Sequence, residues 1–261
     1  MRTKNKKCVI QALAGVFLLG LSPLSSQAED AAPAANAAGK PAEAPLKKLW
    51  DSSLTAGLTL CKGNSDTLLG TLQVDGVRKQ DKNEIDIGAD LTYGENQGVK
   101  NNDLYRAHFQ YNRAFTERFY GSMRVEGMRD GIADIKHRVV ISPGVGYYFI
   151  KSASGFLRGE AGPGYIFERR GHEDRNYAIF RVAERGEWIL SKTAKTWEYV
   201  EILPQVDRSS NVIVNSEVGI EVAINTSLSL RSYIQDTFNN EPAKDRKQND
   251  LKLVTGIAYK F

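Results

Sequence analysis

From Leu49 onward, apolar and polar residues alternate with a period of two, which is the signature of strands with one apolar face. In the first segment Trp50, Leu54, Ala56, Leu58 and Leu60 share one parity, and Ser53, Thr55, Gly57, Thr59 and Cys61 hold the other. The same register sets Ile85, Ile87, Ala89, Leu91 and Tyr93 against Glu84, Asp86, Gly88, Asp90 and Thr92. Near the end of the chain it sets Val212, Val214, Val218, Ile220, Val222 and Ile224 against Asn215, Glu217, Gly219 and Glu221. The pattern predicts about twelve strands, at 49–62, 67–79, 83–94, 103–113, 118–129, 138–150, 156–168, 176–190, 196–207, 212–224, 227–238 and 250–261. No stretch of this region carries a helical period. The fold class is therefore all-β, an up-and-down antiparallel transmembrane β-barrel of about twelve strands.

The mean hydropathy of −0.39 fits a membrane barrel, because only every second strand residue meets lipid while the others face a polar interior. Joints near 95–102, 130–137, 169–175 and 239–249 read as long and those near 80–82, 114–117, 151–155, 191–195 and 225–226 as short. Alternating lengths are the mark of outer-membrane barrels, and they place both chain ends in the periplasm. Two short joints on the outer side, at Gly63–Asp66 and Arg208–Asn211, depart from the alternation. Aromatic residues fall at the strand ends, as a bilayer's two interfaces require. Trp50, Phe115, Phe119, Phe149, Trp188, Trp197, Tyr259 and Phe261 form the expected periplasmic girdle; Tyr93, Tyr105, Tyr165, Phe167 and Tyr177 form the outer one.

Residues 1–28 read as a cleaved secretory signal, with Arg2, Lys4, Lys6 and Lys7 ahead of an apolar run from Val9 to Leu21 and a small-x-small site at Ser26-Gln27-Ala28. Residues 29–48 are Ala/Pro-rich and read as a disordered periplasmic leader, leaving 49–261 as the barrel domain. The chain has 35 Lys and Arg against 31 Asp and Glu, and the excess lies wholly within 1–28, so the mature protein is formally neutral. The sequence pI of about 8.9 thus gives no basis for a nucleic-acid partner. Loss of Cys8 with the signal leaves Cys61 alone, which excludes an internal disulfide. The carboxy-terminal strand has Gly256, Tyr259 and Phe261 in the pattern of an outer-membrane assembly signal, so the barrel-assembly machinery is an expected partner, together with outer-membrane lipid and lipopolysaccharide.

Several motifs carry a family resemblance. The run Gly63-Asn64-Ser65-Asp66-Thr67 after the first strand, Tyr93-Gly94 closing the third, and the pairs Gly144-Val145-Gly146-Tyr147 and Gly162-Pro163-Gly164-Tyr165 resemble the YdiY-like family of salt-induced outer-membrane proteins, a domain of unknown function. The resemblance implies location and a β-barrel, and brings no catalytic residues. Physically, Asn-Ser-Asp makes a good polar turn.

Parity aims a charged cluster at the barrel interior: Glu84, Asp86, Asp90, Arg106, His108, Arg124, Glu126, Arg158, Glu160, Arg181 and Arg185, continued by Glu187, Glu201, Glu217, Glu221, Arg231 and Lys252. These charges either satisfy one another and fill the interior or form a constriction that selects solutes by charge. An enzymatic alternative places His108 with Asp90 and Ser122 as a nucleophilic triad, but no local motif fixes the serine and the group points away from lipid. His137 and His172 lack metal-site spacing. Asp130, Asp134, Glu173, Asp174 and the run Asn239-Asn240-Glu241 are outer-loop candidates for divalent ions or lipopolysaccharide. With no phosphate loop or cofactor fingerprint, no cofactor and no metal are expected. Three functional classes remain: a small passive pore or stress-related envelope barrel, a plugged structural or adhesive barrel, and, remotely, a barrel-embedded hydrolase.

Overall fold

The computed structural model describes the backbone of residues 49–61, 67–243 and 246–261, and the side chains of these except at 59–61 and 67. The expected signal, the Ala/Pro leader and Gly63–Asp66 of the family turn lie outside the described residues, as does the Cys61 side chain. Twelve antiparallel strands close into a barrel: β1 (Asp51–Cys61), β2 (Thr67–Gln80), β3 (Asn83–Asn96), β4 (Val99–Ala114), β5 (Phe119–Asp130), β6 (Ile135–Ser152), β7 (Gly155–Arg170), β8 (Glu173–Ile189), β9 (Ala194–Pro204), β10 (Val212–Ala223), β11 (Leu228–Asn239) and β12 (Asn249–Lys260). Every strand pairs with its sequence neighbours, and β12 returns to β1 through Ser53↔Lys260, Leu54↔Tyr259, Thr55↔Ala258 and Ala56↔Ile257. Closure leaves no free edge to template aggregation.

Because the strand count is even, β1 begins and β12 ends at one rim, here termed the near rim. The alternation read from sequence appears as two faces. Leu72, Val74, Ile87, Leu91, Phe109, Val182, Ile202, Val218, Ile220 and Ile234 are exposed on the outside, while Asp86, Gln110, Arg158, Glu160, Arg181 and Glu201 are buried inside. An apolar exterior around a polar interior is the inverse of a soluble barrel and the arrangement lipid demands.

Two expectations are corrected. The joints at 95–102, 130–137 and 169–175 are not long loops. β3–β4, β5–β6 and β7–β8 continue as paired strands to turns at 97–98, 131–134 and 171–172, so lengths do not alternate. Gln97 and Gly98 both have positive φ (53° and 75°), the requirement of a two-residue I′ hairpin. These extensions are mostly polar, with Val99 and Ile135 as isolated apolar residues, so they lack the alternation that marks a lipid-facing strand. Secondly, Trp197 and Tyr177 leave the aromatic girdles. Trp197 shares the parity of Glu201, and Tyr177 that of Arg181, so both turn into the bore, where the Trp197 indole donates to Glu217 (2.6 Å) and Tyr177 is buried. Of the other predicted girdle residues, Phe115, Phe119, Phe149, Tyr105, Tyr165, Phe167, Tyr259 and Phe261 are exposed outside, while Trp50, Tyr93 and Trp188 are half-buried.

The Gly-x-Gly-Tyr pairs face each other at the β6–β7 seam. A Cβ on Gly162 would stand 2.2 Å from the Pro143 carbonyl oxygen, and one on Gly146 would fall 2.1 Å from the Tyr120 ring. Glycine is therefore required by close approach of backbone and ring, which settles these motifs as packing devices.

Candidate functional site

The bore carries the chemistry. Side chains from strands far apart around the ring meet across it. Glu84 on β3 accepts from Arg158 Nη1 on β7 (2.9 Å) and from Asn112 Nδ2 on β4 (3.0 Å). Asp86 on β3 lies 3.7 Å from Arg185 Nη1 on β8 and 3.3 Å from His108 Nε2. With twelve strands in the ring, β3 and β8 stand nearly opposite, so this contact crosses most of the bore.

Glu160 is the hub of the network. Its carboxylate accepts from Gln110 Nε2 (2.8 Å), the Tyr120 hydroxyl (2.9 Å) and Arg181 Nη1 (2.8 Å), while Arg181 Nε donates to Glu201 (2.5 Å). Arg158 also lies within cation–π reach of Tyr120, Tyr148 and Phe156, at 5.9, 6.0 and 5.7 Å from their ring centres. A second network lines the other arc. Arg231 on β11 donates to Glu221 (3.1 Å), to Asp75 on β2 (3.2 Å) and to Thr55 on β1 (3.3 Å), with Trp197 beneath its guanidinium. Glu221 is further bonded by Ser229 Oγ (3.0 Å) and Lys260.

Between the two arcs, Arg106 pairs with Asp90 (2.9 Å), and Arg124 pairs with Glu126 (2.7 Å) while donating to Gln110 (3.1 Å). Toward the far rim the inner wall of β6–β10 becomes apolar: Val140, Ile166, Tyr177, Ile179, Leu203 and Ile213 form one buried cluster. Beyond it, Glu168 holds both Arg138 and Arg170, the latter at 2.8 Å. The β11–β12 connection is tied to this rim by Glu241, whose carboxylate meets Arg175 (3.2 Å), Arg208 (3.0 Å) and Ser210 Oγ (3.2 Å), and whose backbone carbonyl accepts from Arg170.

All eleven residues of the predicted charged cluster lie on inward positions, and most are partners of one another. The triad is not assembled. His108 faces Asp86, Asp90 is taken by Arg106, and Ser122 sits opposite Asn112 in the β4–β5 register while His108 sits opposite Glu126. Among the outer-loop candidates, Asp130 caps its own turn by accepting from the Ile132 (2.9 Å) and Ala133 (2.8 Å) amides, and His137, Glu173 and Asp174 belong to strands. Among the described residues no group of three His, Cys, Asp or Glu could hold a metal ion.

The sequence reading missed Asp75, Gln110, Tyr120, Tyr148, Tyr199 and the Arg138–Glu168–Arg170 set. Parity would have found Gln110, Tyr120 and Tyr199, each an even number of residues from a predicted lumen residue on its own strand; Asp75 and Tyr148 lie on β2 and β6, where no lumen residue was predicted. In the last set, Glu168 shares the parity of Arg158 and Glu160, Arg138 opens a predicted strand, and Arg170 lies beyond the predicted bounds. Gly256, Tyr259 and Phe261 sit on β12 and at its end; a Cβ on Gly256 would stand 2.5 Å from the Ala56 carbonyl oxygen, and the Tyr259 and Phe261 rings stack outside at 6.1 Å.

A twelve-stranded closed barrel with an apolar exterior and a salt-bridged bore is an outer-membrane-type β-barrel. Residues 54–261 match the family described as "Protein of unknown function, DUF481", and the chain belongs to it. No curated protein matches the sequence. Among solved structures, the NanC porin is similar with 4% identity over 81% of this chain and 100% of that one, at a TM-score of 0.51. The translocator domain of the autotransporter NalP from Neisseria meningitidis gives 12% identity over 81% and 87% at 0.46, and the KdgM porin with disordered oligogalacturonate 8% over 80% and 99% at 0.46. At these identities the likenesses speak to fold alone.

Proposed function

We propose that this protein is an outer-membrane barrel that acts as a narrow passive pore, gated by ion pairs drawn across its bore near the near rim. The observation that carries this reading is the pairing of β3 with the opposite wall: Arg158–Glu84 and Arg185–Asp86. Arg185 is the movable member, since its side chain is 40% exposed and its contact is 3.7 Å, whereas Arg158 is 6% exposed and held at 2.9 Å. A permeating small ion or polar solute exchanges its hydration for these charges in turn, and both signs line the path, so ion preference is weak. The role in salt response that the YdiY-like resemblance brings fits the same geometry. Exposed ion pairs weaken as the screening length shortens from about 10 Å at 0.1 M to about 3 Å at 1 M, and the bore loosens.

Single-channel recording of the refolded signal-free protein in planar bilayers tests the reading, with Arg185→Gln beside it. The expected result is a small conductance in the wild type that rises in the variant. A second reading, a plugged structural barrel without catalytic activity, is favoured by the apolar cluster on the inner wall and the connection tied down by Glu241. Silence of both proteins, each folded and inserted, selects that second reading.

A further inference from the structure

The outer wall has a feature that bulk lipid does not require. Ala89, Ala107 and Gly127 lie opposite one another on β3, β4 and β5, so one cross-strand row carries almost no side chain. The row floors a groove of about 520 Å³, walled by Leu72, Leu91 and Tyr105, and a Cβ on Gly127 would meet nothing within 4 Å. On the far-rim side the groove ends at Arg129, directly opposite Tyr105 in the β4–β5 register. Arg129 is exposed and makes no hydrogen bond or ion pair among the described residues. Lys136 and His137, on the adjoining strand, are likewise exposed and unpaired among the described residues. Three acids at this rim are engaged elsewhere, Glu95 with Tyr93, Asp103 with Lys100 (3.3 Å) and Asp174 with Arg169 (3.8 Å), while Asp134 in the β5–β6 turn is exposed. An apolar slot on the scale of one fatty acyl chain thus runs from the lipid-facing wall up to the unpaired Arg129 guanidinium.

We propose that this groove is a lipid site, taking one acyl chain of a phosphorylated glycolipid of the outer leaflet, lipid A, with its phosphate on Arg129. A guanidinium offers paired donors to phosphate oxygens, and an arginine facing lipid is tolerated where such a headgroup lies beside it. The occupant is the outer-leaflet lipid because the far rim faces outward in a barrel whose chain ends lie in the periplasm. This step rests on the outer-membrane placement proposed above.

The test is native mass spectrometry of the detergent-solubilised full barrel titrated with lipid A, with lipid A stripped of its phosphates, and with phosphatidylglycerol. Insertion into bilayers is checked separately, so failure of the placement is told apart from failure of the site. One lipid A is expected per barrel, binding about tenfold more weakly in Arg129→Gln and in Ala107→Leu, which fills the slot, a loss of about 1.4 kcal/mol each. Arg78→Gln, a half-buried cation near the other rim, is expected to bind as the wild type does. Removal of the phosphates should weaken binding to the wild type as much as Arg129→Gln weakens binding of intact lipid A. Equal binding by the wild type and Arg129→Gln overturns the proposal. So does phosphatidylglycerol binding as tightly as lipid A, which makes the surface a general anionic one. Arg129 is exposed, so its variant tests the site even where Ala107→Leu fails to fold.

Discussion

Arg158 on β7 reaches Glu84 on β3 across the bore, Nη1 to Oε1 at 2.9 Å, although the two residues are 74 positions apart in sequence. Neither strand touches the other in the sheet. The contact exists because the ring closes, and it ties the two walls together across the bore. The same holds for Gln110 with Glu160 and for Arg231 with Asp75. The stability of the barrel and the width of its bore therefore depend on the same residues.

Glu160 offers the plainest test of that dependence. Glu160→Gln keeps the shape but removes the charge that Arg181 and Arg158 face, leaving buried guanidinium groups undercompensated. Breaking a buried pair in this way costs roughly 3–5 kcal/mol. Equilibrium unfolding in lipid vesicles, followed by tryptophan fluorescence, is expected to show a loss of that order; a change below about 1 kcal/mol would mean the hub is well hydrated.

At the far rim, Glu241→Gln should release the β11–β12 connection from Arg175 and Arg208. Tryptic cleavage after Arg246 or Lys247 in the folded barrel is expected to speed up. Because Arg208 is 56% exposed, raising the salt on the wild type should act in the same direction, by screening the pair. A cleavage rate indifferent to both changes would assign the hold on this connection to its backbone bonds, such as the Asn240 amide donating to the Val212 carbonyl oxygen at 3.0 Å.

Depth in the bilayer can be read from two outward positions. Ile87, on the apolar band of β3, is expected to lose about 2–4 kcal/mol on substitution by Arg, whereas Tyr105→Arg, opposite Leu91 and nearer the far rim, should lose about 0–1 kcal/mol. Unfolding free energies in vesicles give both values. Equal costs at the two sites would show that the band is not centred where the alternation of Ile87, Leu91 and Tyr105 places it.

Two glycines on the wall separate packing from chance. Gly162→Ala drives a methyl into the Pro143 carbonyl and the Gly144 Cα, backbone atoms that cannot swing aside, and is expected to cost about 1–3 kcal/mol and lower the refolding yield. Gly127→Ala meets nothing within 4 Å and should stay within about 0.5 kcal/mol of the wild type. Refolding yield is measured by heat-modifiable gel mobility.

The sequence by itself determined the class of fold and the sidedness of each strand. Period-two alternation is a local property: Leu91 must face lipid if Asp90 and Thr92 do not, whatever the rest of the chain does. That is why twelve strands and the inward aim of the charged cluster could be read without coordinates. Misplacement of Trp197 and Tyr177 came from judging aromatics by strand end instead of by parity, so that information was also present. The extensions of β3–β8 toward the far rim were hidden for a different reason: outside an apolar environment both faces of a strand are mostly polar, and the period that reveals it vanishes. Only the tertiary structure decided the partners. Closure and stagger bring Glu84 to Arg158 and Asp86 to Arg185, and place Ala89, Ala107 and Gly127 in one row below Arg129. Such meetings depend on register summed around the whole ring, which no local pattern of residues encodes.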